Sequence, residues 1–294
     1  MTPEPGTDVS IGEPVSEPGA DGHPALECLR DGELVIIGRI PSASNATLVC
    51  DVLHDGHELR CVYKPVRGEV PLWDFPDGTL AGREVASYLI SEHLGWATIP
   101  ETILRDGPLG PGMVQRWIDI ADPGCGPGDL PAARPDLVDL CPPDAIPEGF
   151  RTILRALGPG GEPVTLVHAD DPRLQRMAVL DVILNNADRK GGHVLEGLDG
   201  GVYGVDHGIC LHTDDKLRTV LWGWAGEPVP AHLVADLSDL AGTLTDDDAD
   251  LRAILREHIT GDEIDAVAVR ALELADAGRM PQPPPHRPIP WPPF

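Results

Sequence analysis

The segment from Asp181 to Gly208 constrains this chain most. It runs Asp181-Val-Ile-Leu-Asn185-Asn186-Ala187-Asp188-Arg189-Lys190-Gly191-Gly192-His193-Val194-Leu195, and Gly204-Val205-Asp206-His207-Gly208 follows after a short gap. Leu174, Met177, Ala178 and Val182 keep helical spacing ahead of it, and Asp171 stands where a cap is needed, so the spacing predicts a helix over 172–185 ending in a polar loop. Residues 193–195 and 202–205 then read as a short hairpin closed by an Asp-x-Gly turn. A loop acid, a metal-competent side chain five positions on, and a second acid after an apolar strand are the parts that phosphoryl transfer requires. One carboxylate serves an attacking hydroxyl, and hard ligands hold a metal on the phosphates.

Upstream, residues 33–40, 47–53 and 58–64 read as three strands, with 41–46 as a small polar hairpin loop. A helix is predicted over 81–94, with Gly95 as its stop, followed by strands at 102–104 and 112–118. Residues 119 to about 147 are dense in Pro, Gly and Asp and read as a mobile insertion; 148–157 reads as a helix, and roughly 231–278 as helical with an Asp246-Asp247-Asp248 entry turn. The Pro-, Gly- and acid-rich residues 1–25 are expected to be disordered, and residues 279–294 to form an extended Pro-rich tail.

Composition narrows the function classes. The formal net charge of −26 disfavours partners with a phosphate backbone and anionic lipid surfaces. Cysteines at 28, 50, 61, 125, 141 and 210 show no C-x-x-C spacing, which argues for free thiols in a reducing compartment rather than a zinc site. No stretch reaches the roughly 20 apolar residues of a membrane helix, and the first residues lack a secretory pattern, so a cytoplasmic location is expected. Among 22 basic residues only Lys64, Lys190 and Lys216 are lysines, which singles out Lys64 at the end of the third strand.

The motif Asn186-Ala187-Asp188-Arg189, with Asp181 before it and Asp206-His207-Gly208 after it, resembles the catalytic loop and metal motif of the phosphatidylinositol 3-/4-kinases and of HipA-type bacterial kinases. The likeness is closer to an actinobacterial phosphatidylinositol 3-/4-kinase-like branch, over residues 27 to 230, including Tyr63-Lys64-Pro65. The resemblance implies an α+β, two-lobed protein-kinase-like fold of the atypical kind, with one lobe at 26–118 and the other at 119–278. It implies ATP with Mg2+ or Mn2+ in the cleft. Asp188, grouped with Arg189 as catalytic, would orient or deprotonate the acceptor. Asp206 would hold the metal, Lys64 would pair with the phosphates, and Glu84 would hold Lys64, with Glu92 and Glu101 as alternatives. Ser42, Ser44 and Asn45 would cap the phosphates, and the hinge Val114-Gln115-Arg116-Trp117 would read adenine with its backbone groups. The family's metal-binding Asn is replaced by His193, either a ligand favouring manganese or a packed loop histidine. The expected acceptor is a protein Ser/Thr hydroxyl, with autophosphorylation in scope. A nucleotide-binding module without turnover, an AMP transferase and an inositol-lipid kinase stay open as alternatives. The tail is a candidate dock for a partner, and Trp222-Gly223-Trp224 either shapes the acceptor site or packs in the core.

Overall fold

The computed structural model describes residues 24–41, 45–121, 136–158 and 160–294. The predicted disorder of the first residues, up to 23, lies outside the described residues, as do Ser42 and Ser44. The described chain opens with a helix absent from the expectations, α1 (Pro24–Asp31), which begins before the residue where order was expected. Strands β1 (Glu33–Arg39), β2 (Leu48–His54) and β3 (His57–Pro65) follow. Asp55 and Gly56, both at positive φ, close the β2–β3 hairpin in two residues, the geometry that matches strand twist. Helix α2 (Leu80–His93), capped by Thr79, precedes β4 (Thr102–Gly107) and β5 (Gly110–Arg116). The five strands form an antiparallel sheet in the order β1-β2-β3-β5-β4.

Alternation along β3 sorts its side chains. Cys61 and Tyr63 join Leu29 of α1, Cys50, Val52 and Val114 in one core cluster. Lys64 lies opposite Met113 of β5 and so shares its face, and Met113 packs against Ala81 and Val85 of α2. Lys64 is thereby delivered to the side of the sheet that α2 covers.

The remaining chain builds a second antiparallel sheet and a helical core. β6 (Val138–Cys141), β7 (Phe150–Leu157) and β8 (Pro163–Ala169) pair in the order β6-β8-β7. Two expectations fail here. Residues 148–157 are not a helix, because Phe150–Leu157 pairs along β8, and that pairing outweighs local propensity. Residues 138–141, inside the expected insertion, are a strand held by β8; residues 122–135 lie outside the described residues. Helix α3 (Pro172–Leu184) starts on an Asp171 side chain that accepts from Arg173 N and ends at Asn185 in the left-handed conformation. The hairpin β9 (Val194–Glu196) and β10 (Val202–Gly204) comes next. The helical third divides into α4 (Ala231–Thr245), α5 (Asp250–Leu255) and α6 (Gly261–Ala277), the last opened by a Thr260/Glu263 capping box. Met177, Leu180, Leu184, Leu237, Leu240, Val267 and Ala271 share one core. Among the described residues no helix is long and apolar enough to cross a membrane.

The expected tail lies on its own molecule. Pro288 O accepts from Thr219 N at 3.1 Å and from Trp222 Nε1 at 2.7 Å, and Pro293 O accepts from Gly191 N at 2.8 Å. Trp224, 1% exposed, donates from Nε1 to Asp170, so the Trp-Gly-Trp turn is a packing element.

That turn is keyed by His168 on β8, which is fully buried and packs 4.3 Å from the Trp224 ring. Its Nδ1 faces Ala169 O at 2.8 Å and so carries the proton, while Nε2 accepts from Gly223 N at 3.0 Å. A Cβ at Gly223 would sit 2.3 Å from that Nε2, so no side chain fits there. Burial pushes the His168 pKa down to about 4 from an ordinary value of 6.5. Between those values the unfolded chain holds more protons than the folded one, so stability falls as pH drops from about 6.5 towards about 4. The full loss is about 3 kcal/mol. Urea unfolding near neutral pH and again near pH 4.5 checks this: His168→Gln should lose roughly that much less than the wild type. Equal losses in both proteins would refute the assignment.

Candidate active-site cleft

Asp181 and Arg189 organise the loop. Both are fully buried. Arg189 Nε lies 3.1 Å from each Asp181 oxygen, and Nη2 lies 3.0 Å from Oδ1. Nη1 donates to His193 O and Val205 O, and Nη2 also donates to His207 Nε2 at 2.6 Å. Asp181 accepts further from Asn186 Nδ2 and Thr219 Oγ1. The pair therefore ties the end of α3, the 186–193 loop and the strand leading to Asp206 into one unit. Arg189 does not reach the cleft. Its grouping with Asp188 as catalytic is corrected: a guanidinium buried with its donors committed to protein is a positioning residue.

Asn186 Oδ1 accepts from Asp188 N at 2.9 Å and turns the chain so that Asp188 lines a cavity of about 490 Å3. The same cavity is lined by Asn45, Lys64, Glu84, Gln115, Arg116, Trp117, His193 and Asp206. Sheet, α2 and loop thus bring nine of the expected site residues to one place.

At its centre is an ion triad. Lys64 Nζ lies 2.7 Å from Glu84 Oε1 and 2.9 Å from Asp206 Oδ1. Glu84 is the partner among the three candidate glutamates; Glu101 pairs instead with Arg116. Neighbouring Arg83 fixes α2 in register, donating to Cys210 O at 2.9 Å and pairing with Glu263 of α6 at 2.5 Å. Burial works against the Lys64 charge, but Asp206 and Glu84 more than offset it and hold the ammonium above its ordinary pKa. Lys64 in turn holds Asp206 well below the usual carboxylate range. Burial pushes Glu84 up to about 6.

His193 Nε2 stands 3.3 Å from Asp206 Oδ2, and its buried Nδ1 has no hydrogen-bond partner among the described residues. Burial pushes its pKa down to about 4, so the imidazole is neutral near pH 7 and competent as a ligand. No three His, Cys, Asp or Glu side chains converge on one point among the described residues. The donor set here is one imidazole and one carboxylate, which suits a divalent ion that takes its other ligands from water and a bound phosphate.

Asp188 is held by Lys190 at 3.1 Å, and burial raises its carboxyl pKa despite that lysine. The spacing of acids and metal ligands gave Lys190 no role; its only signal was the scarcity of lysine. At the expected hinge, the Gln115 amide donates to Thr102 Oγ1 and the Arg116 guanidinium pairs with Glu101 and sits over Tyr203. Ile40, Val62, Ile118, Leu195, Val205 and Ile209 give the cavity an apolar slot beside the charged triad.

Removing one member of the buried Asp181–Arg189 pair strands the other in an apolar site. Asp181→Asn or Arg189→Met is expected to cost about 3–5 kcal/mol in denaturant unfolding. A loss below about 1 kcal/mol would show that the pair does not hold the loop.

No known family model matches the chain. The crystal structure of a Helicobacter pylori proinflammatory kinase, CtkA, aligns over 85% of this chain and 94% of that one, at 10% identity and a TM-score of 0.34, too loose to carry an argument. Protein Rv2133c of Mycobacterium tuberculosis is 54% identical over 266 residues, 90% of this chain and 94% of its own length. The chain belongs to the same family as Rv2133c.

Proposed function

We propose that the chain is a kinase of the atypical, two-lobed phosphatidylinositol 3-/4-kinase-like kind, which binds ATP in the cleft and transfers its γ-phosphate to a hydroxyl. The observation that carries this reading is the Lys64–Glu84–Asp206 triad sharing one cavity with Asp188. The ammonium of Lys64, oriented by Glu84, suits the phosphates, and the apolar slot suits a base. Asp206 and His193 would hold a divalent cation, which supplies charge neutralisation on the phosphate oxygens when bound.

Asp188 stands where an acceptor hydroxyl would be oriented. Its raised pKa makes it the better proton acceptor, and Lys190 fixes its direction. The acceptor oxygen forms the new bond to the γ-phosphorus, and its proton passes to Asp188. The bond from phosphorus to the bridging oxygen breaks, and ADP leaves with that electron pair. A protein Ser/Thr acceptor is favoured over a lipid because a chain of net charge −26 is repelled by anionic bilayers.

The test is γ-labelled ATP with the purified chain and protein acceptors, in Mg2+ and in Mn2+. Label is expected on protein, lost in Asp206→Ala and reduced about 100-fold or more in Asp188→Ala, while Asp188→Ala still binds nucleotide. Label unaffected by both substitutions would sink the assignment. Label from α-labelled ATP alone would make the chain an AMP transferase, and binding without label a nucleotide-binding module.

A further inference from the structure

A second cavity, of about 430 Å3, lies between α6, the 215–222 segment and the tail, and shares no residue with the cleft. Five cations line it, Lys216, Arg218, Arg270, Arg279 and Arg287, against two carboxylates, Asp215 and Glu273. That balance is opposite in sign to a chain of net charge −26.

Pairing neutralises only part of this charge. Lys216 has Asp74 at 3.2 Å, and Arg279 donates to Gly226 O. Arg218 and Arg287 make no side-chain hydrogen bond or ion pair among the described residues. Arg270 donates from Nε to Ile183 O and from Nη1 to His212 O, yet its Nη2 is buried without an acceptor. A buried guanidinium N–H left unmatched costs free energy, and an oxyanion is its best match. Burial lowers the Arg270 pKa to about 10, so it stays charged near pH 7.

We propose that this cavity is a second ligand site that takes a small, multiply charged organic phosphate. Two guanidinium groups without partners, Arg218 from the 215–222 segment and Arg287 from the tail, with the charge of Arg270 behind them, suit the oxygens of a phosphomonoester, and the volume suits a small molecule. The site also touches the loop described above: Arg218 N donates to Asn186 O at 2.8 Å, and Arg218 O accepts from Arg189 N at 3.1 Å, on either side of Asp188. The proposal stands independently of the reading of the cleft.

The test is calorimetric titration of inorganic pyrophosphate, without divalent cation and at fixed ionic strength, into the full chain. Saturable binding is expected, weakened at least tenfold in Arg218→Gln/Arg287→Gln and unchanged in Lys64→Met. Arg287→Glu by itself, a change at an exposed residue whose side chain makes no hydrogen bond or ion pair among the described residues, should also weaken it. Absence of saturable binding overturns the proposal. So does binding that ignores the arginine substitutions, or that is lost only in Lys64→Met, which would put the anion in the cleft.

Discussion

A guanidinium removed from water must find its acceptors in the protein, and Arg189 finds them on four residues from three stretches of chain. Asp181 of α3, His193 at the start of the hairpin, Val205 before Asp206, and His207 after it all meet on one side chain. Such a pair is a poor source of net stability, since desolvation offsets much of its attraction. Its effect is geometric. A loop rich in Gly and short polar residues has many conformations, and this pair leaves it one in which Asp188 and Asp206 face the same cavity. Helix α2 repeats the device. Adjacent residues Arg83 and Glu84 reach in different directions, one to α6 and one to Lys64, so the helix registers the sheet against the rest of the molecule.

Alternation and helical spacing made much of this architecture legible. The strands of the five-stranded sheet, α2, α3 and the short hairpin lie within a few residues of where apolar periodicity puts them. Residues 148–157 show the limit. Nothing local distinguishes that stretch from a helix; the deciding partner is β8, and the decision is made by pairing. In the cleft, residue types and spacing in the 181–208 segment pointed to Asp188, His193 and Asp206, because chemistry restricts which side chains can serve, and the scarcity of lysine pointed to Lys64, whereas Glu84 came only with the family resemblance; all five line one cavity. Arg189 was misread for the opposite reason. Beside an acid in a polar loop it looks reactive, while Val205 and His207, which take its donors, and Thr219, which bonds its partner Asp181, lie 16 to 30 positions further along the chain. Gln115 and Arg116, expected to act through their backbone, turn their side chains to Thr102 and Glu101.

Charge is unevenly distributed in an acidic molecule. The three lysines each line one of the two cavities, Lys64 and Lys190 the first and Lys216 the second. Ammonium groups are compact point charges on flexible stems, and their placement at cavities contrasts with Arg83, Arg189 and Arg252, which are buried as structural forks. The tail contributes to both regions, lying on Gly191 beside the loop and walling the second cavity with residues 281–287.

The position of Lys64 between Glu84 and Asp206 has a consequence for how the cleft fills. The Lys64 ammonium is the counter-ion of both carboxylates. A polyanion that enters must draw the ammonium away from Asp206, and the carboxylate released by that exchange then lacks a cation. A lone cation faces the reverse difficulty, since it must displace an ammonium that has nowhere better to go. Under the reading proposed above, such a cleft would admit an anion and a cation together more readily than either one alone.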